Sequence, residues 1–210
     1  MTALSGETAA AVHLCFLRHV LSRLYKLGAA ELFVYFDPAS AHDAMHDLLE
    51  MDGTISLIPQ RSGDLGYRLA DIAIIIGRRH QRCLILAVDS PDVPDDHIIT
   101  CANATKDAQV VLGLADDGGY WCIGMRSDID PAALLHAGIE WSTDRTAAHT
   151  LAAARRLGYS TWANQQWDDV DYPKDLSRLM SRLPLSASED DLRLHRALVD
   201  LLPPAFPQPS

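Results

Sequence analysis

Two acidic clusters stand out in the 210-residue chain. Asp89-Ser90-Pro91-Asp92 follows directly on the apolar run Cys83-Leu84-Ile85-Leu86-Ala87-Val88, and Asp168-Asp169-Val170-Asp171 comes shortly after Tyr159 to Ala163. Carboxylates gathered in this way repel one another. The chemistry that rewards the arrangement is coordination of a hard divalent cation, Mg²⁺ or Mn²⁺, which in turn neutralises phosphate oxygens. Each cluster also has a plainer explanation. The first is an Asp-Ser-Pro turn with a helix cap nearby, and the second a solvated turn whose aspartates favour the positive end of a helix dipole. Taken together, one mid-chain and one late acidic loop could converge on a single ion.

Three more segments carry residue types suited to a small-molecule site. Gln60-Arg61-Ser62-Gly63-Asp64-Leu65-Gly66 precedes a helix, where glycines let backbone approach a ligand and the first turn offers free N–H groups; a turn and N-cap explain it as well. Asp117-Gly118-Gly119-Tyr120 is either the wall of a pocket or a hairpin turn. Trp141-Ser142-Thr143-Asp144 is either a ligand loop or a helix cap. His13, His19, His42 and His46 fall at helical spacings without a third ligand, which places them on the surface or in the core and not at a zinc. Cys15, Cys83, Cys101 and Cys122 form no CxxC pair and read as buried, reduced thiols of a cytoplasmic protein.

These residues need a scaffold, and the composition supplies one. Hydrophobic residues make up 48% and charged residues 22%, enough apolar material for a single domain with its own core. Eighteen basic against 28 acidic side chains give a net charge of −10. That charge argues against nucleic acid and anionic membrane surfaces as partners. No run approaches the roughly 20 apolar residues that span a bilayer, and the start lacks the basic stretch of a signal peptide.

The periodicity predicts a helix from about Glu7, capped by Ser5 and stopped at Gly28. It then predicts a strand over Leu32 to Phe36, a helix over Ala41 to Met51, and a strand over Thr54 to Ile58. A helix from the Gly63–Gly66 segment to about Gly77 and a strand over Cys83 to Val88 follow. Further on come a helix over Asp95 to Thr105, strands over Gln109 to Leu114 and Tyr120 to Met125, a helix over Arg145 to Leu157, and a strand over Tyr159 to Ala163. Helices from Pro173 to Leu183 and Ser188 to Leu202 close the domain, 1–202, and 203–210 is expected to be a flexible tail. Alternating strands and helices predict an α/β fold with a mostly parallel sheet, whose ligands bind beyond the carboxyl ends of the strands. The Asp117-Gly118-Gly119 turn allows one antiparallel pair. A helix comes first, although a crossover helix normally joins two parallel strands. The first strand is therefore expected to be missing, leaving Leu32–Phe36 either to pair directly with Cys83–Val88 or to expose an open edge.

The motifs occur in a recognisable order: Gln60 with Gly63-Asp64-Leu65-Gly66-Tyr67-Arg68-Leu69, Asp89-Ser90-Pro91-Asp92-Val93-Pro94, Asp117-Gly118-Gly119-Tyr120, Trp141-Ser142-Thr143, and Asp169-Val170-Asp171-Tyr172-Pro173-Lys174-Asp175-Leu176. Together they resemble the DUF2064 family of glycosyltransferase-like proteins, related to small nucleotidyltransferases of the GT-A fold. The resemblance implies a nucleotide-diphospho-sugar transferase architecture. It also implies nucleotide contacts at Gln60, Gly63, Asp64 and Gly66, Mg²⁺ or Mn²⁺ ligands at Asp89 and Asp171, and substrate contacts at Gly118, Gly119, Tyr120, Trp141, Ser142 and Thr143. Asp92 or Asp117 would orient or deprotonate the acceptor. The expected partners are a nucleotide or nucleotide sugar, a small-molecule acceptor, and a second copy in a homo-oligomer. The family's phosphate-cradling Lys-Thr-Arg segment has no counterpart in the sequence. The implied activity is a metal-dependent glycosyltransferase. A nucleotidyltransferase acting on a small phosphorylated substrate and a non-catalytic nucleotide-binding paralogue are the alternatives.

Overall fold

The computed structural model describes residues 4–28, 31–49, 55–186, 188–203 and 206. The chain opens with α1 (Gly6–Leu27), whose N-cap Ser5 accepts from the Thr8 N–H at 3.1 Å. The helix ends at Gly28, which has φ 63°, a left-handed conformation that glycine adopts without steric cost. Next come β1 (Leu32–Phe36), α2 (His42–Leu49), β2 (Ile55–Pro59), α3 (Leu65–Gly77), β3 (Arg82–Leu86) and α4 (Asp95–Ala104). The second half holds β4 (Val110–Leu114), β5 (Tyr120–Arg126), α5 (Pro131–Leu135), α6 (Thr146–Arg156), β6 (Thr161–Ala163), α7 (Pro173–Arg182) and α8 (Glu189–Leu201). Met51 and Thr54, the expected limits of α2 and β2, lie outside the described residues. So does most of the expected tail. One of its residues, Phe206, is buried against the apolar cluster of α1, α7 and α8.

The strands form two sheets. One is the parallel pair β1–β2, and the other has the order β3-β5-β4-β6. As the alternation of elements predicts, the strands run mostly parallel, with one reversed strand after the Asp117-Gly118-Gly119 turn. β5 runs antiparallel to both β3 and β4, while β4 and β6 are parallel. The cause is local: the short Asp117–Gly119 turn reverses the chain after β4, and β5 is then inserted between β4 and β3.

β4 and β5 are the buried heart of the fold. Val110, Val111 and Leu112 are fully buried, and Trp121 lies flat over Gly113. A Cβ at Gly113 would sit 2.8 Å from the Trp121 ring atom Cδ2 and closer to two others, so only glycine lets the indole lie there. One face of this sheet packs on α3, α5 and α6 through Leu69, Ala73, Leu134, Leu135 and Ala153. α4 covers the other face through Ile98 and Cys101.

The two sheets do not join. Among the described residues β1 pairs only with β2, and β3 only with β5. Side-chain contacts nevertheless link the two sheets. His80, just before β3, pairs with Glu31, just before β1, at 3.0 Å and packs edge-on against Phe33. Further along, Val34 and Val88 pack on the same residues of α1, Leu17 and Leu21. The structure thus takes the open-edge course. Its cost is visible in β3, where the apolar residues Cys83 to Leu86 are only half-buried. That partial exposure also makes the edge tolerable. Groups open to solvent escape the penalty of about 1–3 kcal/mol for a buried unsatisfied donor or acceptor.

Candidate functional site

Three separate stretches of chain meet beyond the carboxyl ends of β3, β4 and β6. The first leaves β3, whose ladder is prolonged by Ala87 N–H donating to Trp121 O at 2.8 Å, and reaches Asp89 and Ser90. The second is the turn between β4 and β5. There Gly119 N–H donates to the Asp117 carboxylate at 2.7 Å and fixes its direction. The third runs from β6 to α7. It is sewn to the end of β4 by Trp167 N–H to Leu114 O at 3.0 Å and Asp116 N–H to Trp167 O at 3.1 Å. It then crosses to β3, where Val170 N–H donates to Asp89 O at 2.9 Å.

The result is a cleft of about 210 Å³. Asp89, Asp117, Asp169 and Asp171 line it, with Ser90, Tyr120, Ser142 and Thr143 on the remaining wall and Leu65 at its rim. No lysine or arginine is among its lining residues. One carboxylate oxygen each of Asp117, Asp169 and Asp171 lies within 4.8 Å of the others. Three hard oxygen donors at that separation, with no lysine or arginine lining the site, suit Mg²⁺ or Mn²⁺. Electrostatics records the crowding. Asp169 is pushed up to about 6, by burial first and then by the charges of Asp117, Asp171 and Asp89. Burial and the Asp171 charge also raise Asp89.

The raised Asp169 gives a pH prediction. The folded chain holds the Asp169 proton more tightly than the unfolded chain does. The group's stabilising contribution is therefore present below its ordinary pKa and lost as pH climbs through about 6. In chelator, thermal denaturation of the parent and of Asp169→Asn is expected to diverge between about pH 5 and about pH 7.5, the variant gaining on the parent as pH rises. A constant difference across that range would contradict the crowding.

The other candidate residues divide cleanly. Ser142 and Thr143 reach the cleft, and Ser142 has φ 57°, left-handed backbone that non-glycine residues adopt uncommonly. Trp141 packs instead on Gly66, where a Cβ would lie 2.9 Å from the indole and 2.7 Å from Leu135 O. Gly66 thus serves the close approach of α3 to α5. Asp64 caps α3, accepting from Tyr67 N–H at 3.0 Å. The Gln60 amide donates to Tyr35 O at 3.1 Å and accepts from Arg68 Nη1 at 3.0 Å, while Gly63 O accepts from Arg68 Nε. Gly118 and Gly119 form the turn that carries Asp117.

Asp92 does not face the cleft. Its side chain is 7% exposed, accepts from Trp167 Nε1 at 3.1 Å, and receives both Nε and Nη2 of Arg182, at 2.9 and 3.2 Å. Sequence reasoning did not single out Asp169 as a cation ligand, although it noted three acids in four residues there. Arg182 was missed altogether, because a lone arginine on an amphipathic helix carries no signal.

The family profile described as "Uncharacterized protein conserved in bacteria (DUF2064)" matches residues 20–143, more than half of the chain. The chain belongs to the DUF2064 family. No functionally curated protein matches it. A crystal structure from Desulfovibrio desulfuricans G20, provisionally described as a nucleotide-diphospho-sugar transferase, is 26% identical with a TM-score of 0.79. The match covers 92% of this chain and 86% of that one. A second solved structure, 4-diphosphocytidyl-2C-methyl-D-erythritol synthase from Anaerococcus prevotii DSM 20548, shares the fold at a TM-score of 0.53 and 11% identity, over 88% of this chain and 86% of that one. This DUF2064 protein therefore has the α/β architecture of nucleotide-diphospho-sugar transferases. Among its described residues no helix is long and apolar enough to cross a membrane.

Proposed function

We propose that this DUF2064 protein is a divalent-cation-dependent glycosyltransferase that takes a nucleotide-sugar donor and a small-molecule acceptor. The observation that carries this reading is the meeting of Asp117, Asp169 and Asp171 in a cleft without basic lining residues. Such a surface repels a bare diphosphate, and the residues fit the cation that would reverse that repulsion. When bound, Mg²⁺ or Mn²⁺ neutralises the charge developing on a diphosphate leaving group.

The chain's own residues do the rest. Asp117, Asp169 and Asp171 hold the ion, with Asp89 completing the acidic wall. The Gly119 N–H keeps Asp117 aimed at the ion. The start of α3, with Gln60, Gly63, Asp64 and Gly66 shaping it and Leu65 at the rim, lies beside the nucleotide. Gly118, Tyr120, Ser142 and Thr143 bound the sugar and acceptor space, with Trp141 behind. Asp92, committed to Arg182 and Trp167, orients the loop and does not deprotonate an acceptor.

Calorimetric titration with UDP and GDP, in Mn²⁺ and in EDTA, tests this reading. Affinity at least about tenfold higher in Mn²⁺, worth about 1.4 kcal/mol, is expected. Equal affinity in EDTA would remove the cation from the account. Turnover that releases pyrophosphate from an NTP, and no nucleoside diphosphate from a sugar donor, would move the assignment to nucleotidyl transfer.

A further inference from the structure

Arg182, the last residue of α7, stands outside the cleft, yet it touches both loops that build it. Its Nε and Nη2 form a fork on the Asp92 carboxylate, at 2.9 and 3.2 Å. Its Nη1 donates to Asp168, and its guanidinium lies 5.7 Å from the centre of the Trp167 ring. Trp167 closes the circuit by donating to Asp92 at 3.1 Å. Asp92 is three residues beyond Asp89, and Asp168 immediately precedes Asp169. One guanidinium therefore joins the loop after β3 to the segment before α7.

We infer that Arg182 is a positioning residue for the cation site. It holds Asp169 and Asp171 in register with Asp89 and Asp117 before any ligand arrives. This inference rests on the cation reading proposed above.

Two features separate positioning from general electrostatics. The first is sign. A cationic side chain close to an acidic cleft opposes cation binding by simple Coulomb repulsion, so deleting the charge alone would tighten Mn²⁺. Loss of positioning weakens it. The second is geometry. The planar fork fits the Asp92 carboxylate in a way that a lysine ammonium cannot reproduce. The backbone of the same loop is already gripped from the other side by Arg23 of α1, which donates to Pro91 O at 2.6 Å and to Val93 O. The loop after β3 is thus fixed to α1 independently, and the Arg182 contacts act with the Val170 N–H to Asp89 O bond to set where the segment before α7 sits against it.

The test measures binding of Mn²⁺ alone, by calorimetry, to the parent, Arg182→Met, Arg182→Lys, Asp92→Asn and Leu183→Ala. Leu183 follows Arg182 in the chain, is buried in the apolar cluster of α1, α7 and α8, and has no part in the fork, so its truncation reports a stability loss with the fork's own groups intact. Arg182→Met is expected to weaken Mn²⁺ about tenfold or more, the range seen when groups that orient metal ligands are removed. Asp92→Asn is expected to weaken Mn²⁺ too and supplies the answer if Arg182→Met does not fold. Arg182→Lys is expected to fall between parent and methionine. Leu183→Ala is expected to lower the melting temperature and leave Mn²⁺ affinity unchanged. Unchanged or tighter Mn²⁺ in Arg182→Met, or an equal loss in Leu183→Ala, would overturn the positioning role while leaving the cation site standing. A parent that binds no Mn²⁺ would overturn both.

Discussion

Gly118→Ala is expected to leave little folded protein. At φ 89° the residue sits in backbone that an L side chain rarely adopts. An added Cβ would lie 2.6 Å from Asp144 Cα and closer still to its carbonyl. The obstacle is main chain, which cannot swing aside as a flexible side chain can. The same turn donates from Gly118 N–H to Ala115 O at 3.2 Å and accepts from Ala147 N–H at 2.9 Å, so shifting it also strains the start of α6. Strained backbone costs about 1–3 kcal/mol and overpacking about 1–3 kcal/mol or more, a large part of the roughly 5–15 kcal/mol that holds a domain together. Urea denaturation is the measurement. A midpoint indistinguishable from the parent would show that the turn can be rebuilt, and that the direction of Asp117 is not set by it.

Asp117→Asn carries the largest functional effect. Asparagine keeps the side chain's shape and its acceptor for Gly119 N–H while removing one anionic oxygen donor from the trio. Mn²⁺-assisted binding of a nucleoside diphosphate is expected to fall about a hundredfold, equivalent to about 2.7 kcal/mol. Stability is expected to hold or rise, because the like charges of Asp169 and Asp171 lose a neighbour. A variant that retains parental Mn²⁺-dependent affinity would exclude Asp117 from the site, and a variant that unfolds would contradict the repulsion argument.

These expectations show which parts of the molecule could be read from sequence. The strands and helices were legible because their signals are local: apolar runs, Ser5 and Asp64 as caps, Gly28 as a stop, Pro173 at the first turn of α7. So was the placement of Asp89, since an acid immediately after a strand stands at the carboxyl edge in any such fold. The short helix α5 was not singled out. Its cap Asp130 and its Pro131 are ordinary signals, but five residues give no periodicity to count. The antiparallel insertion of β5 beside β3 is a long-range pairing that no local pattern specifies.

The full acidic trio lay beyond the sequence for a similar reason. Asp117 joins Asp169 and Asp171 only because Ala115 bridges to Trp167 and draws the β4–β5 turn against the segment before α7. The roles of Gln60 and Gly66 were equally hidden. Their hydrogen bonds and close packing depend on Tyr35, Arg68, Leu135 and Trp141, which come from distant parts of the chain or from the next turn of helix.

The divided sheet has a consequence for how these molecules meet one another in solution. The outer rungs of β1 and β3 are templates for any extended chain that comes near, the situation from which edge-to-edge aggregation begins. Neither strand carries the devices that natural edges use, such as an inward-pointing lysine or a bulge. Arg82, at the start of β3, is their only charged residue. The collective charge of −10 opposes the close approach of two copies. That repulsion reaches about 10 Å at 0.1 M salt and only about 3 Å at 1 M. The colloidal behaviour of the protein is therefore tied to ionic strength. Light scattering is expected to show more association in concentrated salt than in dilute buffer, as screening brings the two unpaired edges within reach of their neighbours.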